Sequence, residues 1–171
     1  MRAGDLLRAI RKGRWAVVLL LLGVLYLSVG RRYGFLVLEG DSVRAMEPYL
    51  HRGGRHLVDR DPPQRLLRGW IVAWSLEGAL YFARVRAVPG DRILRAEGRW
   101  WVETKDRGRL SIPPGFELPG AWDGEVVPEG RYLLLHENRS PDVPDSRTEG
   151  WIPRSRIVAR IVFALGGEGG T

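Results

Sequence analysis

The chain has 171 residues, 44% of them apolar and 27% charged, which is room for one ordinary domain plus a short extra element and too apolar for a disordered chain. It contains no cysteine, so disulfides and thiolate metal sites are excluded. The net charge of +7 is uneven: Arg2, Arg8, Arg11, Lys12 and Arg14 face only Asp5 in the leader, and the remainder carries too little to call for a nucleic-acid partner.

In chain order, residues 1–14 read as a basic cytoplasmic leader. Residues 15–30, WAVVLLLLGVLYLSVG, follow without a charge and are flanked by Arg14 and by Arg31-Arg32. A helix there covers roughly 24 Å, short of a ~30 Å hydrocarbon core, with the flanking arginines and Trp15 and Tyr26 available to absorb the mismatch. The expected element is a single transmembrane anchor in the cytoplasmic membrane. The basic leader holds the N-terminus in the cytoplasm and leaves the main domain on the extracytoplasmic face. A cleavable signal peptide is the rival reading, since Ser28-Val29-Gly30 offers small residues, but Arg31-Arg32 directly after them disfavours cleavage.

Residues 31–165 read as mainly β, coiled antiparallel sheet. Strands are expected at Phe35–Leu38, at Trp70–Trp74, and at Ala79–Val88 after a hairpin-like break at Leu76-Glu77-Gly78. Arg84 and Arg86 alternate with Val85 and Ala87, a period of two. Further strands are expected at Trp100–Val102, Tyr132–Leu135 and Ile157–Ala164. The Pro- and Gly-rich stretch Asp106–Asp123 reads as a loop, residues 166–171 as a flexible tail, and no useful helical period follows residue 30.

Three segments carry chemistry. The first is Gly40-Asp41-Ser42-Val43-Arg44-Ala45-Met46-Glu47-Pro48-Tyr49-Leu50, the second Ala83-Arg84-Val85-Arg86-Ala87-Val88-Pro89-Gly90-Asp91. The third is Val127-Pro128-Glu129-Gly130-Arg131-Tyr132, followed by His136-Glu137-Asn138-Arg139 and Asp145-Ser146-Arg147. Their order, spacing and strand context resemble bacterial signal peptidase I, a membrane-bound serine endopeptidase that removes signal peptides from exported preproteins. The resemblance runs from about Leu36 to Ala164.

That family cleaves with a serine nucleophile and a neutral lysine base, the lysine depending on apolar burial to lower its pKa. Counted back from Pro89-Gly90-Asp91 without a gap, the lysine position is Ala83, and the arginine after it matches Arg84. Read from Met46 and Pro48 without a gap, the nucleophile position is Ala45, with Val43 two residues earlier, beside the oxyanion hole. Read from Gly40-Asp41-Ser42, the nucleophile is Ser42 and Val43–Ala45 is an insertion. The resemblance further implies supporting roles for Asn138, Asp145, Ser146 and Arg147. It implies a substrate groove at Met46, Pro48, Tyr81 and Phe82, where the c-region of a preprotein adds as a β-strand.

No cofactor or metal is expected. The expected partners are exported preproteins and the lipid bilayer. With alanine at both dyad positions, the chain as written is expected to be inactive or impaired. The alternatives are an active peptidase using Ser42 with an unorthodox base, His136 among the candidates, or a non-catalytic scaffold that binds signal peptides. A basic nucleic-acid binder lacks any helix-turn-helix, RNP-like or zinc pattern.

Overall fold

The structure is a computed structural model and describes residues 3–138 and 142–165. Two compact units divide at Gly34.

The first unit is built on helix α1 (Ala3–Arg32), which runs without interruption through the expected anchor. Its apolar side chains are exposed on all sides: Leu19, Leu20 and Leu21 are each more than 60% exposed, and Val24, Leu25 and Leu27 more than half. The transmembrane expectation is not carried by the described residues, among which no helix is long and apolar enough to cross a membrane.

The second unit is β-rich, with antiparallel pairing throughout the registered strand pairs. Its larger sheet contains β1 (Tyr33–Val37), β2 (Arg55–Asp59), β3 (Ile71–Leu76), β4 (Ala79–Ala87), β8 (Arg131–Leu135), β9 (Ile152–Pro153) and β10 (Ile157–Leu165). The strand order is β1-β2-β10-β3-β4-β8-β9. A second sheet of three strands is formed by β5 (Arg92–Ala96), β6 (Arg99–Thr104) and β7 (Gly108–Ser111). The unit also contains two single-turn α-helices, α2 (Asp41–Arg44) and α3 (Ser146–Glu149), and two 3-10 turns at Gly120–Trp122 and Arg154–Arg156.

β3 and β4 form the expected hairpin, closed by Glu77 and Gly78 with both φ angles positive (50° and 83°). That two-residue turn matches the twist of the flanking strands. The expected loop at Asp106–Asp123 contains β7, whose pairing with β6 compensates for its weak sequence pattern. The tail at 166–171 lies outside the described residues.

Along the strands, the buried apolar side chains are shared among three cores. Ala83 and Val85 of β4 pack with Val72, Trp74, Tyr132, Leu134 and Ile157 on one face of the larger sheet. Phe82, one residue away, packs on the other face with Ala73 and Ala159, with Val43 of α2, and with Met46 and Leu50 of the segment after it. On β8, Leu133 and Leu135 turn to a third core with Ile93, Trp100 and Val102 of the smaller sheet. A strand buried on both faces reads as a continuous apolar run, which is why Tyr132–Leu135 has no polar alternation.

Candidate active site

α2 sets the position of both nucleophile candidates. Gly40 precedes it at φ 96°, a conformation that favours glycine. Asp41–Arg44 then make one helical turn that buries Ser42 and Val43 on its inner side. The Ser42 hydroxyl oxygen accepts the backbone N–H of Phe82 at 2.6 Å. Ser42 is 7% exposed, so this hydroxyl closes the edge of β4 and faces the core.

Ala45 follows at the end of the turn and is held from two directions. Its carbonyl accepts the N–H groups of Glu137 (3.1 Å) and Asn138 (2.9 Å), just past the end of β8. The Asn138 side-chain amide donates to the carbonyls of Arg44 (3.3 Å) and Glu47 (3.0 Å). Asn138 is thus a clamp that fixes the α2 segment against the β8 extension. Ala45 lines a cavity of about 450 Å³ together with Asp41, Arg44, Glu47, Asn138, Asp142 and Val143.

The N–H of residue 45 donates to the carbonyl of Asp41 at 2.9 Å. In a serine protease, the nucleophile's own N–H commonly helps hold the oxyanion. Here that donor is engaged within the α2 turn, and Val43 has no hydroxyl to add.

Ala83 is fully buried, and its neighbours are Trp74, Val85 and Leu134 rather than the α2 residues. Because successive side chains of a strand point to opposite faces, the face of β4 that meets α2 carries Phe82, Arg84 and Arg86. The structure therefore does not join Ala83 and Ala45 in one core. Both guanidinium groups grip Glu137, Arg84 through Nε to Oε1 and Arg86 through Nη2 to Oε2 at 3.0 Å. Arg84 also lies over the Tyr49 ring at 4.3 Å and donates to Gly69 O. Burial lowers the Arg86 pKa from its ordinary value, and Glu137 opposes that shift.

The third segment forms a compact polar buttress. Asp145 is fully buried, caps α3 by accepting the Arg147 N–H at 2.8 Å, and accepts the Arg147 Nε at 2.9 Å. Ser146, also fully buried, accepts the Leu134 N–H at 2.9 Å and so ties α3 to β8. His136 lies fully buried with Nδ1 3.5 Å from Asp145 Oδ2. Burial lowers its pKa to about 4, against the opposing pull of Asp145, so the ring is neutral at pH 7. No hydrogen bond joins Ser42 to His136, and the rebuilt dyad is not assembled.

Of the expected groove residues, Met46 is fully buried and Phe82 nearly so, both inside the core beneath α2. Tyr81 packs on Trp74, ring centroids 5.3 Å apart, on the opposite face. Pro48 alone of the four is exposed. Sequence reasoning missed Glu137, the anion shared by Arg84 and Arg86. Two arginines at alternate positions of one strand were the available sign that a carboxylate lies opposite.

The family of signal peptidases, peptidase S26, matches residues 13–165, nearly all of the chain. This chain is a member of the peptidase S26 family. No curated protein matches it at a significant level. Among the described residues, no group of histidine, aspartate and glutamate side chains is arranged to hold a metal ion.

Proposed function

We propose that this chain is a signal peptidase-family protein that holds the signal-peptide c-region of exported preproteins without cutting it. The observation that carries this reading is the pair of nucleophile candidates. Ala45 lines the cavity but has no hydroxyl, and Ser42 has a hydroxyl but commits it to the Phe82 N–H inside the core. Removing the nucleophile leaves no covalent route, whatever base is supplied.

An edge of β4 supports the binding of an extended peptide. β8 pairs with β4 only from Arg84 onward, so the Ala79–Phe82 stretch has no strand on that edge; the Phe82 N–H is held by the Ser42 hydroxyl, which leaves the part of the edge before Phe82 for pairing. An incoming strand can add to such an edge. The apolar helix before the β unit supports attachment to the bilayer, with Arg31 and Arg32 reaching to the headgroups.

The test is a binding measurement coupled to mass analysis. A fluorescent signal-peptide substrate with an Ala-x-Ala site is titrated with the full chain in detergent, and the peptide is recovered and weighed. Saturable binding with an intact peptide supports the proposal. Shortening at the Ala-x-Ala site, abolished by Ser42→Ala, establishes the second reading of an active peptidase built on Ser42.

A further inference from the structure

Among the described residues of the β unit, Arg68, Arg84, Arg86, Arg147, Arg154 and Arg160 are half-buried. Taking a guanidinium out of water is costly unless a carboxylate compensates its charge. All but one are compensated: Arg68 by Asp91, Arg84 and Arg86 by Glu137, Arg147 by Asp145 and Arg160 by Asp59. Arg154 is the exception. Its Nη1 donates to the Ile157 carbonyl at 2.8 Å, and its Nη2 to the carbonyls of Pro62 at 2.6 Å and Pro63 at 3.3 Å. The buried Nε–H has no acceptor. Carbonyl oxygens orient the group, but its charge has no counter-charge.

Arg154 borders a cavity of about 580 Å³ that shares no residue with the one beside Ala45. Its apolar walls are Leu66, Leu67, Val88, Pro89 and Tyr132. Leu66, Val88 and Tyr132 belong to the core around Ala83, on the face of the larger sheet away from α2. A volume of this order suits a small molecule. The wall is built without one: the Tyr132 hydroxyl donates to the Gln64 carbonyl at 3.1 Å and accepts the Leu66 N–H at 3.4 Å. The backbone N–H of Arg154 donates to the Gly130 carbonyl at 2.8 Å, which fixes Arg154 to another part of the lining.

Charge decides the class of ligand. The lining holds two guanidinium groups, Arg65 and Arg154, against the one carboxylate of Glu129, an excess of one positive charge. Neither arginine forms an ion pair with Glu129 or with any other described residue. One excess charge matches a monoanion, whereas a phosphate dianion would leave negative charge uncompensated between apolar walls. The leucine, valine, proline and tyrosine surfaces call for an apolar body behind the charge.

We infer that this cavity binds a small organic carboxylate with an apolar body, its charge at Arg154 and Arg65 and its body against Leu66, Leu67 and Val88. The site lies apart from the open edge of β4, and the inference does not depend on the peptide-binding reading above. Two sources share this chemistry: a free aryl or acyl acid, and the terminal α-carboxylate of a short apolar peptide.

Cinnamate is the probe, with cinnamyl alcohol and cinnamylamine as its neutral and cationic counterparts. Each is titrated calorimetrically into the full chain in an uncharged detergent, and a protein-free titration is subtracted. Cinnamate should bind at one site, about tenfold more tightly than the alcohol, and the amine should not bind. Arg65→Gln and Arg154→Lys should weaken cinnamate, while Glu129→Gln, which removes the opposing carboxylate, should tighten it. Arg65 and Glu129 are exposed, so their variants carry the test even where a thermal melt shows Arg154→Lys to be unfolded.

Equal binding of cinnamate and the alcohol overturns the anion assignment. A preference for cinnamate that is unchanged in both the Arg65 and the Glu129 variants puts the binding elsewhere and overturns the site. Absence of binding by every probe overturns the inference outright. Acetyl-leucyl-valine and its amide then separate the sources. Tighter binding of the peptide acid supports the site and extends it to peptide ends, and equal binding of the two supports it for free acids alone.

Discussion

Replacing Ala83 by lysine separates a reading based on sequence register from one based on strand faces. Counted along the chain, Ala83 occupies the general-base position, and lysine there should restore the base. In the structure Ala83 is 0% exposed and surrounded by Val72, Trp74, Val85 and Leu134. Adding four carbons and an ammonium to that cluster overpacks it, at a cost of about 1–3 kcal/mol.

The charge costs more than the volume. A lysine ammonium taken from water to such a site has its pKa driven from ~10.4 towards 7 or below. Holding it neutral at pH 7 then costs about 4–5 kcal/mol. Together these approach the ~5–15 kcal/mol total stability of a typical domain. The folded pKa is depressed, so the unfolded chain binds more protons between the two pKa values. The penalty is therefore largest near neutral pH and relaxes as pH rises towards ~10.

Urea unfolding of the full chain in detergent, followed by tryptophan fluorescence at pH 7 and pH 9.5, reads this directly. The expected result is an Ala83→Lys midpoint far below the unaltered chain at pH 7 and partial recovery at pH 9.5. An Ala83→Lys protein as stable as its parent, with the same pH dependence, places the ammonium in solvent or in the cavity and refutes the face assignment.

Three further outcomes follow from the buried polar groups. Glu137→Ala strands two part-buried guanidinium groups and should cost about 3–5 kcal/mol, measured by denaturant unfolding, whereas Glu137→Gln should retain part of that loss. Asn138→Ala removes the amide that clamps the carbonyls of Arg44 and Glu47. Its stability loss should be modest, ~1–2 kcal/mol, while peptide binding weakens because α2 is no longer fixed. His136 has a folded pKa of about 4, below its unfolded value, so its contribution is intact above pH ~6.5. It is lost as pH falls towards 4, by about 3 kcal/mol in all, and replacing His136 by leucine should flatten that limb of the stability profile.

How much of this was legible in the sequence depended on whether a residue's partner lay in its own segment. β4 could be read because Arg84 and Arg86 alternate with Val85 and Ala87, and β8 because four apolar residues run together between turn signals. β5 and β7 could not, since Arg92–Ala96 and Gly108–Ser111 are short, charged or glycine-bearing, and become strands through pairing with β6. α2 is a single turn, too short to show a period. The existence of the site was visible in the ordered segments around Met46, Pro89-Gly90-Asp91 and Asp145-Ser146-Arg147. Its internal geometry was not. Which face of β4 meets α2, and where the Ser42 hydroxyl points, are decided by packing between Val43, Met46, Leu50 and Phe82, residues up to forty positions apart.

The central claim is that no serviceable nucleophile faces the cavity, and preprotein cleavage tests it most directly. The full chain in detergent is incubated with an exported preprotein bearing an Ala-x-Ala site, beside Ser42→Ala and the combined Ala45→Ser, Ala83→Lys variant. Mass analysis follows the preprotein over time. The account predicts an intact preprotein in all three. The first two lack a usable hydroxyl. In the third, residue 83 opens onto the wrong face of β4 and the residue-45 N–H is bound to Asp41. Cleavage by the unaltered chain that disappears in Ser42→Ala, or cleavage restored by the combined variant, contradicts it.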